Sequence, residues 1–304
     1  ATIEYSGYGI RSYKLGSDDS LTVTDSTVRN NGSGIKNSDS YSDGTVSVTN
    51  SLIADNLGDG IDEYEWSDDH WTITGNTITG NSNRGIGLSG TLSATVSDNV
   101  IADNAGGVKL YYLYDDFVFS GNTVSNNNGP GLQFDQGGTP DSITVTDNTI
   151  TGNSGYGIRI DDGGDADAVI TGNTITDGGS YGIYIQNSST NVQPTIRDNT
   201  ITGNNDIGIR TYGKVVPVIA ENRIEDNNQG IQVEYTDVNG NGDFDLTDNA
   251  ILDNSGYGIK ILQHARPRIH FNDITGNGGH AVENYTVYNV DAKNNWWGDG
   301  VTAL

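Results

Sequence analysis

One unit, seen most clearly as TITGNTITGNSNRGIGL at 72–88 and TVTDNTITGNSGYGIRI at 144–160, recurs along the whole 304-residue chain. Aligning the residue before each TIT-like triplet picks out Ser26, Ser51, Asn76, Asn99, Asn122, Asn148, Asn173, Asn199, Asn222, Asn249, Asn272 and Asn295, spaced 23 to 27 residues apart. A unit this short cannot bury a hydrophobic face alone, so its copies must stack on one another. No break in composition interrupts the series, which predicts one domain over 1–304.

Each unit holds three short β-branched runs separated by Asn, Gly and Asp. Three strands and three turns per coil describe an all-β parallel solenoid of about twelve coils. Stacked strands lie about 4.8 Å apart, so equivalent positions form ladders along the axis. The Asn column is expected at a tight left-handed corner, its side-chain amides hydrogen-bonded from coil to coil. Ile, Val and Leu are the inward residues of a narrow core.

On these repeats, and on the closing NNWWGDG at 294–300, the chain resembles right-handed parallel β-helix proteins over essentially its whole length. That group takes in pectate and alginate lyases, polygalacturonases, mannuronan epimerases, disaggregatase-type archaeal enzymes and non-catalytic surface proteins. The resemblance implies a single-stranded right-handed parallel β-helix and a polysaccharide ligand on one strand face. Two subfamily signatures are absent: the Tyr-Gly-Phe-Asp-Pro-His of mannuronan epimerases, and the Gly-His-Gly and Arg-Ile-Lys elements of polygalacturonases.

Charge narrows the partners. Forty acidic residues against 15 Lys and Arg leave a net charge of −25, a poor match for nucleic acid or an anionic membrane surface. No apolar run approaches the roughly 18 residues of a membrane-spanning helix. The acidity is mostly Asp (33, against 7 Glu), with only 6 Lys, which points to an extracellular or cell-surface protein from a salt-loving (halophilic) source. There is no cysteine, and the sequence starts at Ala1 without a leader-like segment, as a mature protein or an excised domain would.

Against this acidity, the residue after the Gly-Ile pair, or its equivalent, forms a column: Arg11, Lys36, Asp62, Gly87, Lys109, Gln133, Arg159, Tyr184, Arg210, Gln232, Lys260 and Glu283. Six of the twelve are basic, where random placement of 15 cations among 304 residues would give fewer than one. Strand side chains alternate faces, so the column points outward if the preceding Ile points in. Two residues on, also outward, come Tyr13, Tyr64, Tyr111, Asp135, Asp161, Tyr212 and Glu234, among others. Cations suit the carboxylate or sulfate of an acidic glycan. Tyrosines offer faces to sugar rings, and Gln and Asp offer partners to hydroxyls. Arg11, Lys36, Tyr64, Gln133, Tyr184, Arg210, Tyr212 and Lys260 are therefore candidate substrate-binding residues. The same cations could instead neutralise neighbouring aspartates.

Catalysis would sit near the middle of the solenoid. Asp135 and Asp161 share a column one coil apart, with carboxyls about 5 Å apart by strand spacing. With Asp162 they could work as acid and base or nucleophile in a hydrolase. In a lyase or epimerase, Arg159 or Lys109 would neutralise a uronate carboxylate, while Tyr111, Tyr212 or an uncharged lysine removes the adjacent proton. A non-catalytic surface, adhesin or filament module is the alternative. LQHARPRIHF at 262–271 gathers His264, Arg266, Arg268 and His270, with His280 a coil later, and is expected to be a basic patch on a side wall.

DVNGNGDFDLTD at 237–248 carries calcium-type spacing: Asp237, Asn239, Asn241, Asp243 through its carbonyl, Asp245 and Asp248, with Gly242 at the turn. Hard oxygen ligands at this spacing suit Ca2+, and the stretch resembles dockerin and EF-hand loops without their flanking helices. It is expected to be an inserted, calcium-stapled loop.

Overall fold

The computed structural model describes residues 1–13, 15–38, 43–63, 69–135, 140–162 and 167–298. Each coil gives one strand to each of three sheets, and every strand pairs in parallel with its counterpart one coil away. Sheet I starts at Thr2–Glu4, sheet II at Tyr8–Ser12 and sheet III at Ser20–Thr24. Sheets I and II hold twelve strands and sheet III eleven, making a right-handed solenoid of about eleven turns.

Sequence alternation explains the register. In sheet I the three-residue strands Thr123–Ser125, Thr149–Thr151 and Thr174–Thr176 stack Val124, Ile150 and Ile175 directly above one another, all buried. A one-residue slip would expose this whole column, so burial pins the register. Phe117 widens the core locally, its ring 6.1 Å from that of Phe119 and 6.0 Å from that of Phe134.

The corners correct one expectation. The left-handed residue is not the ladder Asn but the residue before it: Gly75 (φ 68°), Asp98 (φ 56°), Gly121 (φ 64°) and Asp147 (φ 56°). Where one coil has Asp here, the next often has Gly, because a Cβ on Gly121 would stand 2.5 Å from Asp98 Oδ1. The side chain of one coil fills the space that the next leaves empty.

The Asn side chains are buried tie-bars. Asn148 Nδ2 donates to Asn173 Oδ1 (2.9 Å) and to the Phe119 carbonyl (2.9 Å), while its own Oδ1 accepts from the backbone N–H and Nδ2 of Asn122. A second such ladder, not singled out from the sequence, runs through Asn31, Asn56, Asn81, Asn104, Asn127 and Asn153. Its signal was the second TGN of TITGNTITGN. Buried amides satisfied in this way rigidify the corner and fix where sheet II begins.

The stretch 237–248 is only partly a loop. Its second half is repeat: Asp243–Thr247 is a strand of sheet III with Phe244 and Leu246 in the core. That extended path turns Asp243 and Asp245 outward, where Arg266 and Arg268 of the next coil pair with them at 2.9 and 2.6 Å. Asn241 Oδ1 accepts from Arg266 (2.9 Å), Asp237 caps its own turn through Asn239 N–H (2.9 Å), and Asp248 sits at the left-handed corner. Among the described residues no three carboxylates or imidazoles are grouped to hold a metal ion. Of the six expected ligands, Asp243 and Asp245 lie on the strand, and Asp237, Asn239 and Asn241 lie in the turn before it.

Candidate functional site

All twelve column residues lie in one ladder of sheet II. The pairings run Arg11 to Lys36 to Asp62, then Gly87, Lys109, Gln133, Arg159, Tyr184, Arg210, Gln232, Lys260 and Glu283. In Ile158–Asp161 the isoleucines are buried while Arg159 and Asp161 are half-buried and outward. The outward phase follows from the alternation of buried Ile with polar residues. Tyr64 lies outside the described residues.

The side chains of the ladder bind one another. Lys36 pairs with Asp62, Lys109 with Asp135 (2.8 Å), Arg159 with Asp161, and Arg210 more loosely with Glu234 (3.9 Å). Gln133 donates to the other oxygen of Asp135 (2.7 Å). Asp135 and Asp161 therefore each face a cation of their own rather than one another. Asp162 stands apart at a left-handed corner (φ 45°), accepting from the Ser188 N–H (2.6 Å) and hydroxyl. It staples two coils. Burial works against the charge of Lys109, but hydrogen bonds with Asp135 and Tyr111 outweigh it and hold its pKa above the usual lysine value. An uncharged Lys109 base is disfavoured.

Aromatic rings supply the rest of the surface. Lys109 Nζ lies 4.4 Å from the Tyr111 ring centre, Arg11 4.4 and 4.2 Å from Tyr8 and Tyr13, and Lys260 5.0 and 5.2 Å from Tyr257 and Tyr285. In the middle coils Tyr156, Tyr181 and Tyr184 form a cluster with centroids 5.4 to 5.7 Å apart. Arg210 lies over Tyr181, Tyr184 and Tyr212, and donates to the Tyr181 hydroxyl at 2.9 Å. Cations over ring faces are attracted by the ring quadrupole. Burial, only partly offset by Arg210, pushes the Tyr184 phenol up to about 12, so it stays protonated at neutral pH.

Tyr156, Tyr181 and Tyr257 were not among the expected site residues. Their signal was plain: Tyr stands three positions before the column residue in YGIR, YGIY and YGIK. That position lies in the turn before the strand, and the turn folds the ring back over the ladder. Three polar atoms in this region, Arg159 Nε, Asp161 Oδ1 and Arg210 Nε, are buried without a hydrogen-bond partner among the described residues.

The expected basic patch is neutralised. Arg266, Arg268 and His270 lie on sheet III, facing Asp243, Asp245 and Asp291.

A ladder of outward polar side chains on one sheet of a three-sheeted coil is the architecture of a parallel β-helix. The family model of the right-handed β-helix region matches residues 8–168 and 139–297, and the chain belongs to that family. Among solved structures it is similar to a periplasmic alginate epimerase (14% identity, 91% of this chain and 85% of that one, TM-score 0.60). It is also similar to a mannuronan C-5 epimerase A-module from Azotobacter vinelandii (19% identity, 97% and 90%, TM-score 0.55). At these identities the likeness is one of fold. No curated protein matches the sequence significantly.

Proposed function

We propose that this chain is an extracellular polysaccharide-active β-helix that lays an acidic glycan along the sheet II ladder, between Lys109 and Lys260. The observation that carries the reading is the Arg210 guanidinium set over the Tyr181, Tyr184 and Tyr212 rings on the outward face of the ladder. Arg210 has only a loose carboxylate partner at 3.9 Å, which leaves its guanidinium able to meet an acidic group. The named substrates of the two similar structures, alginate and mannuronan, are uronate polymers and agree with this ligand class.

Binding is better supported than cleavage. The carboxylates that a hydrolase would use are tied to Lys109 and Arg159, and Lys109 and Tyr184 both hold their protons at neutral pH. The test incubates the protein with uronate-containing and sulfated glycans and measures binding calorimetrically alongside two product assays. Ultraviolet absorbance of an unsaturated uronate marks a lyase, new reducing ends without it mark a hydrolase, and heat of binding without product marks a binder. Absence of binding to every acidic glycan would refute the reading.

A further inference from the structure

Of the twelve ladder positions, all among the described residues, Gly87 alone carries no side chain. Arg84 reaches across that position, and beside it lies a notch of about 270 Å³ lined by Asp62, Glu63, Arg84, Leu88, Ser89 and Tyr111. Its volume falls just below the roughly 300 Å³ at which small-molecule pockets begin, room for one sugar ring rather than two. Arg84 forms the wall on the side of the preceding turn. Its guanidinium is held over Gly87 by a two-pronged pair with Asp59 (Nε to Oδ1 3.0 Å, Nη2 to Oδ2 2.9 Å).

The charges lining the notch are already answered. Asp62 is paired with Lys36, Arg84 with Asp59, and Glu63 accepts from the Trp71 indole N–H (2.7 Å) and the Thr91 hydroxyl. Lys109 lies over Tyr111 with its charge given to Asp135. With Asp62 and Arg84 in ion pairs and Glu63 holding neutral donors, the lining carries more carboxylate than cation, which disfavours a further anion and suits hydroxyls. Tyr111 offers a ring face, and Ser89, Asp62 and Arg84 offer hydrogen-bond partners.

Resting on the acidic-glycan reading, we propose that the Gly87 notch seats one uncharged sugar residue, so that the ligand is a heteroglycan alternating neutral and acidic residues rather than a uniform polyuronate. Arg159 stands three rungs along from Gly87, through Lys109 and Gln133, or about 14 Å at the usual strand spacing. A neutral residue in the notch then places an acidic residue of the same chain on the Arg159 and Arg210 stretch.

The test fills the notch. Gly87→Gln installs the side chain that the same ladder carries at Gln133 and Gln232. The nearest atoms to a Cβ at Gly87 are those of the Arg84 side chain, at 3.0 to 3.3 Å, so Arg84 must give slightly, while the backbone, with no left-handed φ at Gly87, can keep its path. Gly87→Ala, whose Cβ presses on Arg84 in the same way but leaves the notch open, is the control and should change hyaluronan affinity less than about twofold. Calorimetry compares oligosaccharides of equal length from hyaluronan, which alternates glucuronate with a neutral amino sugar, and from polymannuronate, which is uronate throughout. The expected result is at least about a tenfold loss of hyaluronan affinity in Gly87→Gln, with polymannuronate affinity changed less than about twofold. The notch proposal is overturned if both ligands weaken equally, if neither changes, or if the wild-type protein binds only polymannuronate. If the wild-type protein binds neither, the acidic-glycan reading falls with it.

Discussion

Replacing Asn148 by Ala tests whether the buried amide ladder holds the coils, and with them the site, in register. The substitution removes the acceptor for the Asn122 backbone N–H (2.9 Å) and for one Nδ2 hydrogen of Asn122 (3.0 Å). It also removes the donor to the Phe119 carbonyl (2.9 Å). Asn122 Nδ2 keeps its bond to the Val96 carbonyl, and Asn173 Oδ1 keeps the Asn148 backbone N–H. Two buried polar groups, the Asn122 N–H and the Phe119 carbonyl, are therefore orphaned, and Asn122 Nδ2 loses one of its two bonds. At about 1–3 kcal/mol each, lowered by whatever water the small cavity admits, the expected loss is roughly 3–6 kcal/mol. For a chain of this length, that corresponds to a fall in melting temperature of about 5 to 9 °C. Thermal and urea unfolding followed by far-ultraviolet circular dichroism would measure it, with the exposed Thr149→Ala as the control, expected within about 0.5 kcal/mol. A loss under about 1 kcal/mol for Asn148→Ala would mean that the amides bond one another no better than they bond water, and the tie-bar argument would fail.

Further outcomes follow from the same geometry. Arg210→Gln should weaken binding of an acidic glycan and flatten its dependence on salt, as measured by calorimetry at two ionic strengths; unchanged affinity would remove Arg210 from the track. Tyr181→Phe, which takes away only the hydroxyl that receives the Arg210 hydrogen bond, should weaken binding less than Arg210→Gln does. The Arg268 hydrogen bond holds the Asp245 carboxyl below its usual pKa despite some burial. The stability it adds is present above the ordinary carboxylate value of about 3.9 and is lost as pH falls through the lower folded value. Asp245→Asn should therefore melt below wild type at pH 7, and the gap should close toward pH 2–3. Chelation of divalent ions should leave the melting temperature unchanged, since arginines pair with Asp243 and Asp245; a rise of several degrees in millimolar calcium would show that 237–248 gathers a ligand set after all.

The repeat, the three strands per coil, the inward Ile and Val and the outward cation column were all legible in the amino-acid order. Each is a periodicity, and in a solenoid neighbours in space are simply residues one period apart. Lys109, Arg159, Arg210 and Lys260 could be placed on one ladder because a period-2 strand converts position into face. What that arithmetic could not reach was direction within a turn and choice of partner. Tyr156 and Tyr181 lie outside the regular strands, and only the path of the corner brings their rings over Arg159 and Arg210.

The same division explains the calcium motif. Twelve residues with ideal spacing were present, but burying Phe244 and Leu246 outweighed a closed loop and pulled Asp243 and Asp245 into an extended strand. Likewise, Asp135 and Asp161 occupy neighbouring rungs, yet each turned to a cation rather than to the other. Order along the chain determined which residues share a face, because stacking repeats a local rule coil after coil. The tertiary structure alone decided which of those side chains pair, which remain unsatisfied and where the ladder opens at Gly87, because those outcomes depend on competition among neighbours from three successive coils at once.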